Sequence, residues 1–211
     1  NGRGFTMSNG STSIEAARII STIPVQHLLP CLDNVPSDVR RACDALVYNS
    51  LGSVAFEING PVPESSWLYV PDPKLGKTNR ISFPSTYSRH AAPGGCGSIL
   101  AEITCQPGDE ISRMADQDIA REARETIVRM GLIEEDRILR SHVMRQPFAY
   151  VVYDLAYQEN IRTVTEFCTS SSIPLVGRFA QFEYLNMDGC IRSVLNFVKS
   201  YPEDESNRHH P

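Results

Sequence analysis

Ile119, Ala123, Ile127 and Met130 recur at intervals of four, four and three, with arginines and glutamates between them. That single apolar stripe predicts an amphipathic helix from about Ser112 to Met130, with Gly131 at the position of a C-cap glycine. A similar stripe, Ile191, Val194, Leu195 and Val198, predicts a last helix from about Asp188 to Lys199, ending before Pro202. Other helices are predicted from Val35 to Ala42, where proline stands near the first turn, and from Leu155 to Cys168; Val25 to Leu32 reads as a helical turn or two.

Between residues 48 and 104 the pattern changes. Tyr48 to Ile58, Trp67 to Val70, Ile81 to Phe83 and Ser98 to Thr104 read as strands, separated by Asn59-Gly60-Pro61, Pro71 to Gly76 and Pro93 to Gly97. Four strands with short connections and no intervening helices predict an antiparallel sheet, and the whole chain reads as α+β. Ile138 to Met144 and Ile173 to Val176 are further strands. Phe5 to Met7, a turn over Ser8 to Ser11, and Ile14 to Ile23 read as a hairpin, of which Ala17 to Ile23 is an apolar strand stopped by Pro24. A hairpin that starts at the first residue, in a chain beginning with Asn1 in place of Met, leads us to expect a fragment. Glu203 to Pro211 is polar and is expected to be disordered.

Composition narrows the classes. The chain has 211 residues, 41% hydrophobic and 21% charged, with a net charge of −5. That charge argues against nucleic acid or an anionic membrane as partner, since either would want a clustered basic face. No apolar run approaches the roughly 18 residues of a membrane span. The six cysteines are scattered without a C-x-x-C pair, and His27, His90 and His142 show no ligand spacing, so reduced thiols in a cytoplasmic protein without a metal are expected.

The stretch most suggestive of chemistry runs from Gly177 to Ile191, between the strand at 173–176 and the last helix. The first-turn N–H groups of that helix and the positive end of its dipole suit an anion, and Arg178 adds a fixed, forked cation. The same stretch resembles the "G-R-x-x-x-x-x-Y-x-x-M-D-x-x-I" segment of the family of protoporphyrinogen oxidases, amine oxidases and UDP-galactopyranose mutases, where it closes the FAD site. The resemblance implies that Gly177 and Arg178 contact FAD, that Asn186, Met187 and Asp188 set backbone against the isoalloxazine, and that Tyr184 faces the substrate. A plain strand–turn–helix with a surface-paired arginine is the alternative on spacing alone.

Three further stretches are similar to family segments. Ala17 to Pro24 resembles the strand returning from the substrate region, with Ala17 where aspartate is common. Trp67 to Asp72 with Arg80 to Ser88 resembles "W-x-Y-F-P-[DE] … R-x-x-F-P-S-N-x-S", with Thr86 in place of asparagine. By this resemblance Arg80 is a candidate ligand for a nucleotide-sugar pyrophosphate; a strand-end arginine in water weighs equally. Pro147 to Asp154 resembles "Y-A-Y-P-V-Y-D", with Val151 for proline, and makes Tyr150 and Tyr153 substrate-side candidates beside the reading of buried, satisfied tyrosines.

The resemblance covers Ala17 to about Tyr201 and implies a division of the chain. Residues 1–24 would lie on the FAD-domain side, 25–154 would form the substrate sheet and its helices, 155–201 would close the flavin site, and 202–211 would be a tail. No G-x-G-x-x-G follows a strand, so the dinucleotide-binding half is expected to be a missing amino-terminal partner. The implied function is that of the carboxyl-terminal part of an FAD-dependent oxidoreductase acting on a small molecule, inactive alone. A mutase acting on a nucleotide sugar through reduced FAD is the alternative, and a non-enzymatic interaction module a further one. No nucleophile or other catalytic residue is assigned.

Overall fold

The structure, a computed structural model, describes residues 4–88 and 90–200. Its strands are β1 (Phe5–Ser8), β2 (Ser13–Ala16), β3 (Tyr48–Asn59), β4 (Trp67–Tyr69), β5 (Arg80–Ser82), β6 (Cys96–Cys105) and β7 (Ile138–Val151). Its helices are α1 (Val25–Leu28), α2 (Ser37–Asp44), α3 (Pro84–Tyr87), α4 (Glu110–Arg113), α5 (Asp116–Arg129), α6 (Tyr157–Ser170) and α7 (Met187–Ser200). The α+β class is as the sequence implies. Among the described residues no helix is long and apolar enough to cross a membrane. The chain divides into two units, Tyr48–Tyr150 and the described parts of Asn1–Val47 with Val151–Pro211.

The first unit is a five-stranded sheet in the order β4-β5-β6-β3-β7. Its centre is the long antiparallel pairing of β3 with β6, in register from Ser50 opposite Cys105 to Asn59 opposite Cys96. Alternation then sorts the side chains. Val54, Phe56 and Ile58 of β3, with Ile99, Ala101 and Ile103 of β6, face one way and meet Ile119, Ala123 and Ile127 of α5 in a buried core. Each fully buried Val, Ile or Phe among them contributes about 1.5–3 kcal/mol. Gly52 lies under the same helix, where a Cβ would sit in ordinary contact, 3.5 Å from Ile119 Cδ1. Ser53, Ala55 and Glu57 of β3, with Ser98, Leu100 and Glu102 of β6, fall on the opposite face.

The helix expected over 112–130 is interrupted. Met114 and Ala115 are extended, with ψ of 144° and 153°, and separate α4 from α5. Arg145 of β7 explains the break. Its guanidinium donates to the carbonyl of Ser112 at 3.1 Å, to the carbonyl of Met114, and to Asp116 Oδ1 at 2.7 Å. Two carbonyls that a continuous helix would use are thereby taken. The far end is as expected: Gly131, at φ 67°, closes α5 with its N–H on Val128 O, and Leu132 N–H bonds Ile127 O, a Schellman cap.

The second unit packs α2 against α6, burying Val39, Cys43, Val164 and Cys168. Val25, Leu29, Ile173, Val176 and Phe182 are also buried. Residues 25–47, read from the sequence with the sheet, group here. Ala17–Ile23 and Ile173–Val176, both expected as strands, meet in a single parallel bridge between Ser21 and Leu175. Ser21 N–H bonds Pro174 O and Val176 N–H bonds Ser21 O, each at 2.9 Å. Pro174 lacks the N–H that would extend the ladder. The hairpin forms, but β2 ends at Ala16. The expected apolar stripe of α7 is present and open: Ile191 is 61% and Val198 62% exposed, and no residue of the helix is buried. The expected tail lies outside the described residues.

Candidate functional site

Two groups of the sequence-predicted residues come together, one in each unit. In the second unit the chain turns sharply between Val176 and α7. Gly177 is left-handed at φ 85°, and nothing lies within 4 Å of where its Cβ would be. Arg178 follows. Its Nη1 donates to Leu185 O at 2.8 Å, and its guanidinium carbon lies 4.8 Å from the centre of the Tyr184 ring. The guanidinium therefore clamps the loop from 178 to 185 by a charge-assisted hydrogen bond and a cation–π contact. Tyr184 N–H donates to Tyr153 Oη at 2.6 Å, which joins two of the predicted tyrosines.

Four residues that the sequence did not single out hold this turn. Gln181 Oε1 accepts from Gly177 N–H at 3.0 Å and from Ser193 Oγ of α7 at 2.6 Å. Phe182 is fully buried and left-handed at φ 52°, a conformation unusual for a bulky residue. Its carbonyl accepts the Tyr157 hydroxyl at 2.8 Å, and Tyr153 stacks edge-on against Tyr157 at 4.6 Å. Burial pushes the Tyr157 phenol up to about 12. The strained Phe182 is consistent with a functional turn, and only the fold reveals it.

Asn186, Met187 and Asp188 form the entry to α7. The first bond of the helix runs from Cys190 N–H to Asn186 O at 2.9 Å, so the N–H groups of 187–189 precede the ladder. Met187 is 85% exposed. An exposed helix start, an open left-handed glycine and a fixed guanidinium together fit an anionic, planar group that needs close backbone approach.

In the first unit, Arg80 and Tyr150 meet on the sheet face opposite α5. Arg80 stands directly across from Glu102 in the β5–β6 register. Its Nη2 lies 2.5 Å from Glu102 Oε1, and Tyr150 Oη donates to Glu102 Oε2 at 3.2 Å. Glu102 is buried, at 4% exposure. Its hydrogen bond, more than its charge, holds the Arg80 guanidinium protonated far above the ordinary arginine range, against the opposing effect of burial. Sequence reasoning passed over Glu102, because only the strand register puts it beside Arg80. At the end of the same face a cavity of about 460 Å³ lies among residues such as Ala55, Glu57, Pro93, Ser98, Arg140 and His142.

Comparison with known proteins follows the same lines. Residues 1–193 match the family described as flavin containing amine oxidoreductase. Among solved structures, reduced UDP-galactopyranose mutase superposes with a TM-score of 0.81 at 19% identity, covering 97% of this chain and 45% of that one. A putative protoporphyrinogen oxidase from Exiguobacterium sp. 255-15 gives 0.73 at 15%, covering 93% and 43%. A redesigned putrescine oxidase gives 0.62 at 12%, covering 94% and 46%. At these identities the likeness is one of fold, and the chain spans less than half the length of each. The curated proteins contain no match.

Proposed function

The chain belongs to the flavin containing amine oxidoreductase family, and from that premise we propose that it forms two parts of an FAD-dependent oxidoreductase, a wall of the substrate pocket and the segment that closes the flavin site. The observation that carries this reading is the turn from Gly177 to Asp188. Gly177 leaves room for a ligand, Arg178 is held in one place by Leu185 O and Tyr184, and the N–H groups at the start of α7 precede the helix's own ladder. FAD, when bound, supplies the redox chemistry. The protein's share is positional: Arg178 and the helix dipole favour negative charge beside them, and Tyr153 fixes Tyr184 through its backbone.

The sheet face carrying Arg80, Glu102 and Tyr150 forms the substrate wall, and a small organic molecule is its ligand. The adenosine and pyrophosphate of FAD are held by an amino-terminal dinucleotide-binding half, without which this chain is inactive. All six cysteines are free, which supports a reducing compartment, the cytoplasm.

The test joins the chain to such a half and follows flavin absorbance without oxygen. Substrate-driven bleaching, with one equivalent of oxidised product per flavin, is the expected result. Conversion of UDP-galactopyranose only after prior reduction, with no net redox, would replace the oxidoreductase with a mutase. A colourless assembly would leave an interaction module.

A further inference from the structure

The strands place two guanidinium groups on the sheet face opposite α5, and each has a carboxylate on the same face. Arg80 of β5 meets Glu102 of β6 at 2.5 Å, and Arg140 of β7 lies 3.5 Å from Glu57 Oε2 of β3. The two pairs are not equivalent. Arg140 is 84% exposed, so its pair is screened and loosely held. The Glu102 side chain is only 5% exposed. A buried carboxylate stripped of its partner is strongly disfavoured.

The second oxygen of Glu102 is also committed, because Tyr150 donates to it from β7. Glu102 thus ties together residues from β5, β6 and β7, with β3 lying between the last two. Seen from the ligand side, the cluster is an arginine whose charge is already answered. Around it the edge of the face is aromatic: Trp67 and Tyr69 of β4 stand opposite Ser82 and Arg80 and are 53% and 66% exposed.

We propose that Glu102 is a specificity-determining residue of this face: by holding Arg80 in a shared pair with Tyr150, it withholds that arginine from phosphate and restricts the wall to substrates without a phosphate or diphosphate group. The inference rests on the reading of this face as a substrate wall and names the class of substrate. A diphosphate arriving at Arg80 must compete with a buried carboxylate that sits in hydrogen-bond contact and whose other partner is the neutral Tyr150 hydroxyl. An uncharged, partly apolar molecule meets no such competition and can lie against the rings of Trp67 and Tyr69. Glu102 acts on the ligand through Arg80, so it is a positioning residue and not a catalytic one.

The experiment is a titration of this chain, without added flavin, with inorganic pyrophosphate, followed by the backbone amide NMR signals of β5 and β6, which every variant retains. The variants are Arg80→Ala, Glu102→Gln and the double variant, with far-UV circular dichroism to check folding. The wild type and Arg80→Ala should bind equally weakly, within twofold. Glu102→Gln should bind at least tenfold more tightly, and the double variant should lose that gain. A tenfold or greater loss on Arg80→Ala, or a folded Glu102→Gln with no gain, overturns the proposal. If Glu102→Gln fails to fold, the comparison of wild type with Arg80→Ala decides alone. Because no flavin is present, the result stands apart from whether the assembled protein is a flavoenzyme.

Discussion

Replacing Arg178 by alanine should act twice, once on the fold and once on the flavin. In the chain alone it removes the bond to Leu185 O at 2.8 Å and the contact with the Tyr184 ring at 4.8 Å. A hydrogen bond from a charged donor contributes about 1.5–3 kcal/mol, and an exposed cation–π contact about 0.5–1 kcal/mol. Since Arg178 is only half-buried and Tyr184 is exposed, the low end applies, about 2 kcal/mol in all. For a chain of this size that is a fall in melting temperature of roughly 4–8 °C. Hydrogen exchange at α6 and α7 should report it, while fluorescence of Trp67, the one tryptophan, follows the other unit. In the assembled flavoprotein the same variant should retain FAD about tenfold less well, about 1.4 kcal/mol. Arg178→Lys should restore part of both effects, because lysine keeps charge without the planar fork. A variant with unchanged unfolding and unchanged flavin affinity would refute the clamp and the flavin contact together.

Other outcomes follow from burial and backbone geometry. Gly76→Ala should destabilise the sheet unit by about 1–3 kcal/mol in urea unfolding, since the backbone is left-handed at φ 142° and the new Cβ would lie 2.0 Å from Thr126 Oγ1. Near pH 8.5, the midpoint of an ordinary thiol, iodoacetamide should label exposed Cys31 at least tenfold faster than Cys43 or Cys168, whose thiols burial pushes up to about 11; equal rates would show that α2 and α6 do not pack as described. Because these folded-state values and that of Tyr157 are raised, their contribution to stability is full below about pH 9 and is lost as pH rises through about 11 for the thiols and about 12 for the phenol. Alkaline unfolding should therefore begin in the unit that contains them, and first loss of α5 protection would contradict this.

Periodicity carried the parts of the fold that are local. The stripe Ile119, Ala123 and Ile127 names the face of α5 that is buried, and Gly131 marks its end. What it could not carry depends on residues far apart in sequence. The break at Met114 and Ala115 is imposed by Arg145, more than thirty residues on in the case of Ser112 O. The strands expected at 17–23 and 173–176 are apolar, yet each finds one bridge. In the site, the string from Gly177 to Asp188 was legible because its residues are consecutive. Gln181 and Phe182 lie inside that string, but nothing in their identities says that one bonds Gly177 and the other takes a left-handed turn. Glu102 was out of reach for a third reason: its partner is fixed by strand register. Arg178 was read as a ligand group, with an arginine paired to a surface carboxylate as the alternative, and the partner the fold gives it is the Leu185 carbonyl.

Hydrogen exchange on the assembled protein, with and without FAD, tests the central claim most directly. If the turn before α7 closes the flavin site, the amides from Gly177 to Gly189 should become markedly slower to exchange when FAD binds, and Arg178→Ala should erase much of that change. FAD bound stoichiometrically, with protection elsewhere and none across those residues, would contradict the account.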